Sequence, residues 1–174
     1  MPAVTQVRVL HGASPGLGTD ATNLTLRMKQ ADDDTQDATA PIPVPSSGKA
    51  YSWRKTFLFV ANTAPDNAIS NLRFFSDGAS LGTGRKIMFA RSSSYVQATA
   101  TDAAATIGST DVSTLTASSP ETIQAGNLVL STDSFPSSGG SLQEFVMLQL
   151  EVGTTATAGN SSAAMTLSYR YDET

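Results

Sequence analysis

Few residues of this 174-residue chain could do chemistry, and their spacing argues against most of it. His11 is the single histidine. A serine–histidine–aspartate triad needs a histidine as its base, so at most one such site is available. His11 lies in His11-Gly12-Ala13-Ser14-Pro15-Gly16, just after an apolar run, and reads as a strand-end residue rather than a general base. Metal sites are as poorly supplied. The absence of cysteine excludes thiolate zinc and disulfides, and one histidine cannot form a histidine cluster. Asp32, Asp33, Asp34 and Asp37 offer the oxygen ligands that Ca²⁺ takes, but without the glycine at the sixth position and the glutamate at the twelfth of an EF-hand loop. They read as a solvated loop whose like charges repel. Gly82-Thr83-Gly84-Arg85-Lys86 imitates a phosphate loop, yet the chain has no Gly-Lys-Ser/Thr and no helical pattern follows. Glu144 and Glu151 share neither strand parity nor neighbourhood, so no paired-carboxylate hydrolase site is recognisable. The expectation is a non-enzymatic protein without catalytic, cofactor-binding or metal-binding residues.

Residues that could make contacts are better represented. Arg54, Lys55, Arg73, Arg85, Lys86 and Arg91 would form a docking face for an acidic surface if their strands were neighbours. Otherwise they are ordinary solvated positions on outward strand faces. Pro41-Ile42-Pro43-Val44-Pro45 places proline at every second residue, which blocks ladder donors and favours an extended arm. Trp53, Phe57, Phe59, Phe74 and Phe75 are expected in the core. A sugar-binding module would instead need an exposed platform, for which Tyr51, Trp53, Tyr95 and Tyr169 are the candidates.

Charge is distributed unevenly. Ser92 to Tyr169 contains no lysine or arginine, so residues 1–91 carry a net +3 and residues 92–174 a net −7. If this asymmetry persists in space, one part of the domain is weakly basic and the other bland and slightly acidic. The total of −4 disfavours direct binding to nucleic acid, whose affinity comes from clustered Lys and Arg.

The elements that must position these residues are strands. Charged residues make up 15% of the chain against about 25% in a typical domain, while the apolar share of 40% suffices for a core. The length fits one domain, residues 1–174. Met1-Pro2-Ala3-Val4-Thr5-Gln6 has no basic or apolar leader pattern, so no secretory signal is expected. No apolar stretch reaches the ~18 residues of a membrane span. Strand patterns occur at Val4–Leu10 (with both faces covered), Leu24–Met28, Trp53–Val60, Ile69–Phe75, Arg85–Phe89, Leu128–Leu130, Val146–Val152 and Met165–Tyr171. No amphipathic helix is predicted. About eight strands without helices indicate an all-β, two-sheet antiparallel β-sandwich, with jelly-roll wiring favoured. Three stretches read as outside the core: residues 31–48 with the proline arm, an Ala/Thr/Ser loop near 99–124, and a turn at 134–141.

Asn71-Leu72-Arg73-Phe74-Phe75-Ser76-Asp77-Gly78, Gly82-Thr83-Gly84-Arg85-Lys86-Ile87-Met88-Phe89 and Ser94-Tyr95-Val96-Gln97-Ala98-Thr99 together resemble small β-sandwich virion proteins of tailed bacteriophages. The cysteine-free, Ala/Thr/Ser/Gly-rich texture is similar elsewhere. The resemblance implies a virion component made in host cytoplasm, most like a capsid decoration or cement protein. Its partners would be the major capsid protein and other copies of itself, with a trimer favoured among homo-oligomers. A tail, head-closure or fibre-associated subunit, or a receptor-binding or carbohydrate-binding module, is the alternative.

Overall fold

The computed structural model describes residues 4–63, 69–124, 145–159 and 164–173. The strand expected at 128–130, the turn at 134–141 and Glu144 lie outside the described residues. Within them, the chain runs through β1 (Val4–Leu10), β2 (Thr19–Asp20), β3 (Lys49–Tyr51), β4 (Lys55–Thr63), β5 (Ile69–Ser76) and β6 (Arg85–Ser92). It continues through β7 (Thr110–Asp111), β8 (Glu121–Gln124), β9 (Phe145–Gly153) and β10 (Leu167–Glu173). The only helical pieces among the described residues are two 3-10 turns, Ala100–Ala104 and Val112–Thr114.

Among the described residues every pairing between these strands is antiparallel and falls into two sheets, with one isolated parallel bridge from Ser76 to Thr116. The larger has the order β2-β1-β4-β9-β6-β7, with β3 also paired to β9; the smaller has the order β10-β5-β8. β9 therefore lies between β4 and β6, while β5, which connects those two in sequence, lies in the other sheet beside β8. β1 to β4 all stay in the large sheet, and among the described residues the chain crosses to the small one only at β5, β8 and β10.

The core follows from the period-two alternation of strand side chains. Val9, Phe57, Phe59, Ile87, Phe89, Val146 and Leu148 of the large sheet meet Leu72, Phe74 and Ile123 of the small one. Aromatic rings bridge the sheets, with Phe74 stacked on Phe89 at 5.4 Å and Phe59 beside Tyr169 at 5.6 Å. The opposite face of the large sheet carries a second cluster, Leu10, Leu58, Val60 and Phe145, with Tyr95 against it. β1 thus has both faces covered only at its end, where Val9 enters one cluster and Leu10 the other, while Val4 is exposed.

Two local expectations are corrected. Leu24–Met28 is not a strand. Asn23 turns with φ 63°, Leu24 N–H bonds back to Ala21, and the backbone bonds that anchor the segment are made at its flanks, by Ala21 N–H to the Val7 carbonyl and by Trp53 N–H to the Lys29 carbonyl. Leu26 and Met28 still pack on the core, which is what their alternation reports. Residues 99–124 are not a loop beside the core either. Val112, Leu115 and Ile123 are buried in it, and β7 and β8 extend one sheet each. The apolar residues there are too widely spaced to show a period, because Val112 and Leu115 are delivered by one 3-10 turn and Ile123 by a separate short strand.

Candidate functional site

The largest polar assembly is built on the acidic loop. Lys29 is 1% exposed and has the largest fully buried side chain among the described residues. Its Nζ donates to Thr35 Oγ1 at 2.6 Å and to Asp37 Oδ1 at 2.9 Å, and lies 2.8 Å from Asp33 Oδ1. An ammonium has three donors, so the group is saturated. Asp33 and Asp37 are in turn held by threonines two residues on: Thr35 N–H donates to Asp33 at 3.1 Å and Thr39 N–H to Asp37 at 3.1 Å. These are Asx turns, the usual use of Asp in a tight loop. Lys55, 3% exposed, enters the same place and donates through Nζ to the Asp33 carbonyl. Asp32 accepts from Gly12 N–H at 2.8 Å and from Gln97 Nε2 at 3.2 Å. The loop expected to be self-repelling and solvated is instead folded around two lysines, with Asp33 and Asp37 bonded to Lys29 and Asp32 to Gly12 N–H, while the Asp37 side chain stays half exposed.

Protonation follows from these contacts. The hydrogen bond that Lys29 donates to Asp33 holds its ammonium above the ordinary value, against the burial that lowers it. Burial pushes the Asp33 carboxyl up, but hydrogen bonds from Lys29 and Thr35 outweigh it and leave it low. Thr39, then Lys29, hold Asp37 well below the usual carboxylate range. Burial pulls Lys55 down.

A second polar assembly fixes residues 99–108 to the large sheet. Gln149 is fully buried on the face of β9 opposite Leu148. The two hydrogens of its Nε2 are shared among the carbonyls of Ser52 (3.0 Å), Asp102 (2.8 Å) and Ala105 (3.0 Å), and its Oε1 accepts from Ile107 N–H at 2.9 Å. Asp102, also buried, accepts from Arg54 Nε at 2.9 Å and Thr99 N–H at 3.2 Å, with Arg54 Nη2 close on the same carboxylate. Both assemblies have the character of structural fasteners: their donors and acceptors are matched internally.

The candidate contact residues are dispersed. Lys55 is buried and Arg54 is engaged by Asp102, so neither is a free surface charge. Arg85 bonds the Thr157 carbonyl, Arg91 the Thr122 carbonyl beside Glu121, and Arg73 Thr122 Oγ1 at 2.7 Å. Lys86 is exposed. The continuous basic face does not form, because β9 is inserted between β4 and β6 and separates Lys55 from Lys86. The imitation phosphate loop is the turn entering β6. Gly84 has φ 73°, and a Cβ there would lie 2.6 Å from Ala156 N, so glycine is needed for close backbone packing rather than for an anion.

His11 Nε2 is 3.7 Å from Asp34 Oδ2. Gly12-Ala13-Ser14-Pro15-Gly16 fits the letters Gly-x-Ser-x-Gly of a nucleophile elbow. An elbow is a strand-to-helix turn, however, and here Gly18 N–H closes a turn onto Pro15 and the chain enters β2. Of the aromatic platform candidates, Tyr51 is buried, Tyr169 packs between Phe59 and Phe74, and Tyr95 donates to the Gly12 carbonyl at 2.8 Å. Burial and the nearby Asp32 push the Tyr95 phenol up to about 12. Trp53 is half-buried.

The proline segment is the candidate that remains accessible. Pro41, Pro43 and Val44 are exposed, and Ile42 and Pro45 are half-buried. Its ends are clasped: Gln30 N–H donates to the Ala40 carbonyl at 2.8 Å and Gln30 Nε2 to the Tyr51 carbonyl at 2.9 Å. Gln30 and the doubled Asp-x-Thr at 33–35 and 37–39 are features that reading the acidic run as solvated overlooks. Lys29, four residues before Asp33, is the sequence signal for them. Comparison with protein-family models, with curated proteins and with solved structures returns no match.

Proposed function

We propose that the protein is a non-enzymatic structural component of a tailed-phage virion, acting as a capsid decoration protein that grips the major capsid protein through the loop 41–48. The observation that carries this reading is the clasped, exposed proline loop. Three prolines in five residues restrict the free chain, so little entropy is lost when the loop is seated on a partner. Pro41, Pro43 and Val44 supply apolar contact, and many copies on a lattice make weak contacts effective. Of the residues that resemble phage virion proteins, 71–78 and 82–89 fall on β5, β6 and the turn joining them, and 94–99 on the segment after β6. They support a relationship of fold and leave the contact to the loop.

The test is co-sedimentation with capsids that lack decoration. The wild-type protein is expected to be retained. A variant with Pro41–Pro45 replaced by Gly and Ser is expected to keep its far-UV spectrum and lose most of its retention. A wild-type protein that stays in the supernatant overturns the reading. Equal retention of the variant removes the loop from it.

A further inference from the structure

The outer face of the small sheet places two like charges together. Arg170, the only basic residue after Arg91, lies directly opposite Arg73 in the β10–β5 pairing. Like charges in directly opposed positions are destabilising. Neither arginine has a carboxylate partner among the described residues: Arg73 bonds Thr122, and Arg170 rests over the Phe75 ring at 5.8 Å, near the ~6 Å limit of a cation–π contact. Two residues on, Asp172 accepts from Asn71 Nδ2 at 2.7 Å through Oδ2, which leaves Oδ1 for another donor.

β10 is also a terminal strand of its sheet, and no described residue pairs with its other edge. Asp77 N–H donates to the Thr166 carbonyl at 3.0 Å, Ser168 lies opposite Phe75 and Arg170 opposite Arg73, and the pairing with β5 then shifts by one residue, so that Asp172 lies opposite Ser70. Backbone groups of an antiparallel strand alternate between its two neighbours. Ser168 and Arg170 therefore bond towards β5, and Leu167, Tyr169 and Tyr171 present their N–H and C=O groups to the open edge. Tyr169 and Tyr171 pack inward on Phe59, so Arg170 and Asp172 share the outer face.

We propose that β10 pairs edge to edge with β10 of a second copy, about a two-fold axis at Tyr171 that sets Arg170 of each copy against Asp172 of the other. This register joins outward backbone groups, Tyr171 to Tyr171 and Tyr169 to Glu173. It leaves Arg170 and Asp172 as a non-hydrogen-bonded pair, the kind whose side chains approach most closely. Moving the axis to Arg170 would oppose two arginines, and moving it to Asp172 would oppose two aspartates. Charge thus selects one register. Arg170 would exchange its contact with Phe75 for an ion pair, which relieves its conflict with Arg73. The two small sheets become one continuous sheet across the dimer. The contact is two-fold, unlike the trimer that the phage resemblance implies, and does not depend on the proposed place in a virion.

Sedimentation equilibrium over a concentration series at low salt tests this. The wild type is expected to dimerise weakly, with the amides of Tyr169 and Tyr171 gaining protection from hydrogen exchange as concentration rises. Arg170→Asp and Asp172→Arg are each expected to abolish the dimer, and the double variant to restore it. Both positions are exposed, and the far-UV spectrum checks that each variant is folded. A wild type that stays monomeric with unchanged amide protection overturns the proposal. So do single variants that dimerise like the wild type, or a double variant that does not recover.

Discussion

Gln149 shows how one buried polar side chain can organise a segment that has no periodic pattern of its own. Its four hydrogen bonds tie residues 52, 102, 105 and 107 to β9. Gln149→Leu keeps approximate volume but strands those groups. Each buried unsatisfied group costs about 1–3 kcal/mol, so a loss of roughly 3 kcal/mol or more in urea unfolding is expected. Tyr169 presents the converse case. Its hydroxyl is buried without a partner among the described residues, and burial pushes its pKa up. Tyr169→Phe removes that unsatisfied group and keeps the ring on Phe59 and Phe74, so it should be neutral or stabilising by about 1 kcal/mol in the same measurement. Neither role is legible from alternation along β9 and β10. Gln149 sits at a position that the pattern assigns to solvent, and only the passage of residues 99–108 over that face buries it.

At the scale of elements, the loop 29–39 is a charge-locked turn, and its pH dependence follows from the shifts. Asp33 and Asp37 lie below their ordinary value of 3.8. The stability they contribute is fully present above 3.8 and is lost as pH falls through their lowered values. Lys29, raised from 10.5, contributes fully below 10.5 and loses its share as pH rises through its higher value. The thermal midpoint should therefore fall on acidification below pH 3.8 and again in strong alkali. In Lys29→Met the part of the acid dependence that Asp33 and Asp37 owe to Lys29 should disappear, while the parts they owe to Thr35 and Thr39 should remain. A melting-temperature profile of both proteins against pH checks this. The strands themselves were readable: β1, β4, β5, β6, β9 and β10 all lie where alternating apolar residues place them. β2, β3, β7 and β8 are two to four residues long, too short to display a period.

For the whole molecule, the uneven charge of the chain is cancelled in space rather than preserved. Lys49 lies 2.9 Å from Glu151, Arg54 pairs with Asp102, and Arg91 lies 3.7 Å from Glu121. Each pair joins the basic first half to the acidic second half. The expectation of one basic and one acidic part is corrected for this reason: β9 is inserted between β4 and β6, and β10 lies beside β5. Neither half holds a complete sheet. Fragments 1–92 and 93–174, prepared separately, are expected to lack the native far-UV spectrum. A native-like spectrum from either alone would contradict the interleaving.

The sequence by itself determined the class of fold. A period of two in apolar residues, turn residues between the runs and no helical period admit little besides antiparallel sheets, and low charge with sufficient apolar content requires them to pack. Local patterns carry that information because a strand has only two faces. Strand order, the burial of Lys29, Lys55, Asp102 and Gln149, and the meeting of Arg73 with Arg170 were decided by tertiary structure. They depend on which distant segments become neighbours, and a charged or amide side chain looks the same in sequence whether it meets water or a partner. The basic-free run from Ser92 to Tyr169 carries both lessons: its composition announces bland strands, and only the fold shows Asp102, Glu121 and Glu151 placed against cations of the first half.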